Sequence, residues 1–231
     1  MRVALWALPA FALIHLWQSV RATPALVDDP AAWSQWVTSG GYGWLQAVTG
    51  FGGTLLGLVA IIALTALLAG GRRGRGLAAA GLVTGLAAAI LDSAHRGVAA
   101  FAAPVLGDQV RAGDTGAAET YERAYGMGEP WLPAGTAATI TDLGWGGPLW
   151  YGGPWLLAAA SLMTLAWTLF GLAVWRGLSR GDGLLILLAA PLLGLVGGLL
   201  VPAVPLGALL LAAAGIGIAW SRGRSRVRQP Q

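Results

Sequence analysis

The chain has 231 residues, 56% of them hydrophobic and only 10% charged, with a net charge of +4 and a mean hydropathy of +0.68. Soluble domains carry about a quarter charged residues, so an ordinary soluble domain is excluded and an integral membrane protein is indicated. All 14 basic residues are arginine, and all but Arg96 lie outside the apolar runs, so no nucleic-acid partner is expected; zero cysteine excludes disulfides, Cys-ligated zinc, iron–sulfur clusters and thiol nucleophiles.

The first apolar run, about residues 3–20, is long enough for a tilted span. The small residues after Arg21 would also suit a cleaved signal covering residues 1–25. However, His15, Trp17 and Gln18 are poor signal-core residues, so a retained helix is expected. A polar loop rich in Trp and Gly follows. Span 2 covers about 44–70 and ends in the basic turn Gly71-Arg72-Arg73-Gly74-Arg75-Gly76. Span 3, about 77–104, carries Asp92, His95 and Arg96 inside an otherwise apolar run. The segment 107–150 is polar and predicted external, with a surface helix over 109–125 in which Glu119 and Arg123, and Tyr121 and Tyr125, are spaced i,i+4. Spans 4, 5 and 6 are expected at about 155–175, 184–201 and 206–220, with a kink in span 5 at Pro191. Residues 221–231 form a short basic tail.

Charge sets the orientation. The N-terminus, the 71–76 turn, the 176–183 loop and the tail hold ten arginines against one acid, Asp182. The opposite side holds three arginines and eight acids. By the positive-inside rule the first side is cytoplasmic. The expected fold is therefore an all-α, polytopic integral membrane bundle of six transmembrane helices. Both termini are cytoplasmic, and residues 1–220 form a single membrane domain.

Small residues spaced for close helix approach mark the packing faces: Gly81, Gly85, Ala88, Asp92 and Ala99 on span 3, Gln46, Gly50, Gly53 and Gly57 on span 2, and Ser161, Thr164, Thr168 and Gly171 on span 4. Many of the 12 tryptophans fall at span ends, as an interfacial aromatic belt requires. Residues 31–43 have a superficial resemblance to a potassium-channel pore helix and filter. An extra residue between Thr38 and Gly41-Tyr42-Gly43 breaks the register that a carbonyl ladder needs.

Charged side chains inside a span are expensive and mark a functional or structural polar site. Asp92 lies three residues before His95 and four before Arg96, so one helix can neutralise its own charges. The same groups would suit a proton or anion site, with Arg96 as the anion holder. His15, Gln18, Gln46, Ser161 and Thr164 are the expected supporting polar residues. No Ser/His/Asp spacing, phosphate-cradling loop or calcium-loop spacing accompanies them, so a non-enzymatic transport-type or accessory membrane subunit is the expected function. No cofactor is predicted, and the sequence leaves metal binding open. A redox protein holding haem or quinone between spans 1 and 3, with His15 and His95 as haem ligands, is the first alternative. An interaction protein using the 107–150 segment is the second. Expected partners are the lipid bilayer and, for an accessory subunit, other membrane subunits; the expected location is a plasma membrane, a bacterial inner membrane on the arginine-only, Ala/Gly/Leu-rich composition.

Overall fold

A computed structural model describes residues 2–19, 29–71, 73–114, 116–117, 120, 154–200 and 203–224. Every regular element among them is helical. After a short helical turn at Arg2–Leu5 come α1 (Ala7–Ser19), α2 (Pro30–Val37), α3 (Gly40–Ala69), α4 (Arg75–Arg111), α5 (Pro154–Gly177), α6 (Arg180–Leu193), α7 (Leu195–Leu199) and α8 (Ala203–Arg224).

Five stretches are long and apolar enough to cross a membrane: Gly40–Ala69, Arg75–Arg111, Leu157–Gly177, Arg180–Gly197 and Ala203–Ser221. The first helical region, Val3–Ser19, is apolar but shorter. The helices close into a ring. Each of α1, α3, α4, α5, α6 and α8 packs on the next, and α8 returns to α1. Trp167 and Phe170 of α5, Leu8 and Phe11 of α1, Leu64 of α3, Ile186 of α6 and Leu211 of α8 fill the centre.

The predicted small-residue faces are where the backbones meet. A methyl group placed on Gly81 would lie 3.2 Å from the Phe170 ring, and one on Gly85 would lie 3.0 Å from Ile61 Cδ1. On Gly57 it would lie 2.9 Å from the Phe11 ring, and on Gly171 2.8 Å from Leu187 Cγ. With little hydrophobic drive between helices in lipid, such close packing is a main source of association.

The arginine-rich connections gather at one end. Gly74, at φ +95°, packs against the Ala173 carbonyl, Gly177 approaches the Arg73 carbonyl, and Gly217 of α8 sits beside the Asp182 carboxylate. The 70–74 turn, the α5–α6 connection and the last turns of α8 therefore share the face that charge assigns to the cytoplasm.

Three boundaries differ from the sequence expectation. Span 2 begins at Gly40 rather than 44, because the Ser39 hydroxyl caps the helix by accepting from Tyr42 N at 3.2 Å. Span 3 does not stop at 104. Its helix continues to Arg111 through a π-helical stretch at Val98–Ala102, after which Pro104 falls in the first turn of the following segment, where its missing N–H is harmless. Thirty-seven residues make a rod of about 55 Å against a hydrocarbon core of about 30 Å, so the outer turns of α4 project beyond the bilayer. The break in span 5 falls at Gly194, three residues after Pro191, which is accommodated inside α6. Gly194 allows contact with α5, since a Cβ there would run into Thr164 Oγ1.

Outside the predicted membrane level, α2 docks on the projecting part of α4. Asp29 caps α2, accepting from Ala32 N at 2.8 Å, and Trp33, Val37, Tyr42 and Ala103 form a small second core. Gly40–Leu45 is helical, so the run that resembles a channel filter forms no extended carbonyl ladder. Most of the rest of the predicted external segment, including the Glu119–Arg123 and Tyr121–Tyr125 pairs, lies outside the described residues, as does most of the basic tail.

Candidate functional site

Asp92 and Arg96 project from successive turns of α4, and Arg96 Nε donates to Asp92 Oδ2 at 2.5 Å. The i,i+4 spacing read from sequence therefore closes within one helix. Both side chains are partly buried, Arg96 at 18% and Asp92 at 27% exposure, so the pair is shielded from water without being sealed in the core.

The depth of the pair follows from helix rise. Counting from Arg75 at the cytoplasmic end, Asp92 lies about 26 Å and Arg96 about 32 Å along α4. With a hydrocarbon core of about 30 Å, the guanidinium lies near the outer boundary, where a charge costs less than at mid-membrane. On the orientation that charge predicts, the Asp92–Arg96 pair falls in the outer half of the bilayer.

Two π-helical stretches face each other at this level, Gln46–Gly52 in α3 and Val98–Ala102 in α4. Such stretches are uncommon and concentrate at functional sites. Each offers a backbone carbonyl as acceptor to a side chain of the other helix. Arg96 Nη1 reaches the Thr49 carbonyl at 3.4 Å, and the Tyr42 hydroxyl donates to the Ala99 carbonyl at 2.6 Å. Phe51 and Phe101 meet at 6.1 Å between ring centroids on the lipid side. A guanidinium carries five N–H donors. Nε and one Nη1 proton are used, and Nη2 has no partner among the described residues.

Two spaces adjoin at Arg96. The inner cavity lies between α1, α3, α4 and α5, bounded by Phe11, His15, Asp92, Arg96, Met163 and Trp167 among others. Its volume of about 30 Å³ admits a water molecule or two and nothing larger. His15 meets Phe11 edge-on with centroids 4.4 Å apart. Trp167 is buried, and its Nε1–H has no acceptor among the described residues. The outer groove, about 230 Å³, runs between α3 and α4 on the lipid-facing side, bounded by Gln46, Gly50, Phe51, Thr54, Leu55, Leu58, Ser93, Arg96 and Ala100. Thr54, Leu58 and Arg96 border both spaces.

The structure brings together Asp92, Arg96, His15 and Gln46, all marked in the sequence. His95 occupies the expected position on α4, but its side chain lies outside the described residues. Gln18 lies in the last turn of α1 and borders neither space. Ser161 lies on α5 away from both. Thr164 works elsewhere: its hydroxyl donates to the Ala160 carbonyl at 2.9 Å and accepts from Leu195 N at 3.0 Å, satisfying the amide freed by the Gly194 break. Sequence reasoning missed Thr54, Ser93 and Trp167. Trp167 carried a signal, since it stands mid-span while the aromatic belt belongs at span ends. No group of three or more His, Asp or Glu able to hold a metal occurs among the described residues. No family model, curated protein or solved structure matches the chain.

Proposed function

We propose that this chain is a non-enzymatic transport-type or accessory subunit of a plasma membrane, in a bacterial inner membrane, whose bundle offers a polar intramembrane binding site centred on Asp92 and Arg96. The supporting observation is that the ion pair is neutral as a unit yet not closed off. Arg96 retains an unused Nη2 donor and borders both an inner cavity and a lipid-side groove. A pair serving only to fix packing has no need of open space on two sides. The two facing π-helical stretches add to this, because each departs from regular helix at the level of the pair.

The size of the inner cavity weighs against the haem alternative. A porphyrin between α1 and α4 would require those helices to part, whereas the present gap is of water size.

The test is to purify the chain from native membranes and identify retained small molecules by mass spectrometry, for the wild type and the double variant Asp92→Asn/Arg96→Gln. A binding site predicts compounds retained by the wild type and lost from a double variant of unchanged helicity. Identical retention by two equally folded proteins would reduce the pair to a packing device.

A further inference from the structure

Resting on the site just proposed, we infer that the groove between α3 and α4 admits its ligand sideways from the outer leaflet, and that this ligand is a single-tailed amphiphile with an uncharged, hydrogen-bonding head. Four observations carry the inference. The first is polarity in the right order. Gln46 and Arg96 lie toward the outer end of the groove, Ser93 and Thr54 lie about a turn deeper, and Leu55 and Leu58 continue along α3 toward the membrane centre. A head at the outer boundary and a tail pointing inward is the orientation of every outer-leaflet amphiphile.

The second is unmet hydrogen bonding. Gln46, Thr54 and Ser93 all border the groove, and none makes a side-chain hydrogen bond among the described residues. The other membrane-level Thr hydroxyls at 49, 65, 84, 164 and 168 all bond to carbonyls of their own helix. Polar groups facing hydrocarbon without partners are costly, so a ligand that engages three of them gains what lipid tails cannot give.

The third is charge. Asp92 already cancels Arg96 at 2.5 Å, so the groove has hydrogen-bond donors and acceptors but no uncompensated positive charge. An anionic head would have to compete with Asp92 for the guanidinium. An uncharged head needs only the free Nη2 donor and the three neutral side chains. The fourth is size. About 230 Å³ falls below the range of drug-sized pockets and suits a head and part of one chain. The inner cavity is too small for either. Phe51 and Leu55 are 59% and 62% exposed, so the groove opens to lipid.

The experiment measures binding of three probes that share a C18 unsaturated chain to the purified full chain: monoolein, with an uncharged head, oleate, with an anionic one, and octadecene, with none. Monoolein is expected to bind at least about fivefold more tightly than octadecene. Gln46→Leu should cut monoolein affinity about fivefold and leave octadecene unchanged. Thr54→Phe, which fills the groove, should remove the monoolein advantage, and Ser93→Leu serves the same purpose if Thr54→Phe does not fold. Equal binding of all three probes, unmoved by Gln46→Leu, overturns the inference. So does oleate binding tenfold above monoolein and lost in Arg96→Gln; that result would make Arg96 an anion holder and leave the intramembrane site itself standing. The site falls separately, through identical ligand retention by the Asp92→Asn/Arg96→Gln variant.

Discussion

Where α5 meets α6, glycine brings one helix directly against another. A Cβ on Gly183 would fall 2.5 Å from Trp175 N, and one on Gly171 3.0 Å from Leu187 N. Where α3 meets α4 at the outer end, the same kind of glycine leaves room. A Cβ on Gly50 would meet nothing closer than Gln46 Oε1 at 3.6 Å. The first seam is closed by backbone contact. The second is bridged by side chains reaching to π-helical carbonyls, with a groove beside them. Glycine-rich sequence on two helices therefore does not by itself mean a tight seam; the outcome depends on whether polar side chains stand between the glycines.

The largest effect should come from filling the closed seam. Gly183→Val pushes a branched side chain into the Trp175 backbone, which has no flexible end to move aside. Overpacking of this kind costs roughly 1–3 kcal/mol and sometimes more, so a clear drop in thermal unfolding midpoint in detergent is expected. A wild-type midpoint would mean that α5 and α6 are not in backbone contact.

Next in size is the ion pair. Arg96→Gln leaves the Asp92 carboxylate without its partner, and a loss of about 1–3 kcal/mol is expected. Asp92→Asn should cost a similar amount by stranding the guanidinium. The double variant should recover part of either loss, with a coupling of about 0.5–3 kcal/mol in a double-mutant cycle. Additive losses would place the two groups apart.

Smaller effects separate the seams more finely. Thr164→Val removes the acceptor for Leu195 N at the Gly194 break and should cost about 1 kcal/mol without altering ligand retention. Tyr42→Phe, on the other seam, should cost about as much by releasing the Ala99 carbonyl. Gly50→Ala should lie within about 0.5 kcal/mol of wild type, since the contact it creates is an ordinary one. A large loss there would mean that the α3–α4 seam is as closed as the other.

Much of this architecture is legible in the sequence, for physical reasons. Hydropathy and arginine placement report directly on membrane crossing and sidedness, and they locate the five long apolar helices and the shorter first one. The Asp92–Arg96 contact is equally legible, because i,i+4 neighbours on a helix meet whatever surrounds them. Breaks are harder. Proline advertises a kink, yet α6 tolerates Pro191 and breaks at Gly194, where a close neighbour on α5 decides the matter. The extension of α4 to Arg111 was hidden behind Pro104 and Gly107. Proline is harmless just after the π-helical stretch, and Gly107 serves as the notch that admits Val37 of α2. The groove was least legible, because Thr54 and Ser93 are unremarkable on their own helices. They matter only through the way α3 and α4 face each other, which no single-helix pattern encodes.

The chain contains no cysteine, so single cysteines can be placed without removing any. The most direct test compares maleimide labelling of Ser93→Cys, in the groove, with Ile90→Cys, one turn away on α4 and 69% exposed. An occupied groove predicts that monoolein slows labelling at position 93 at least about threefold and leaves position 90 unchanged. Equal slowing at both positions, or none at either, would contradict a ligand site between α3 and α4.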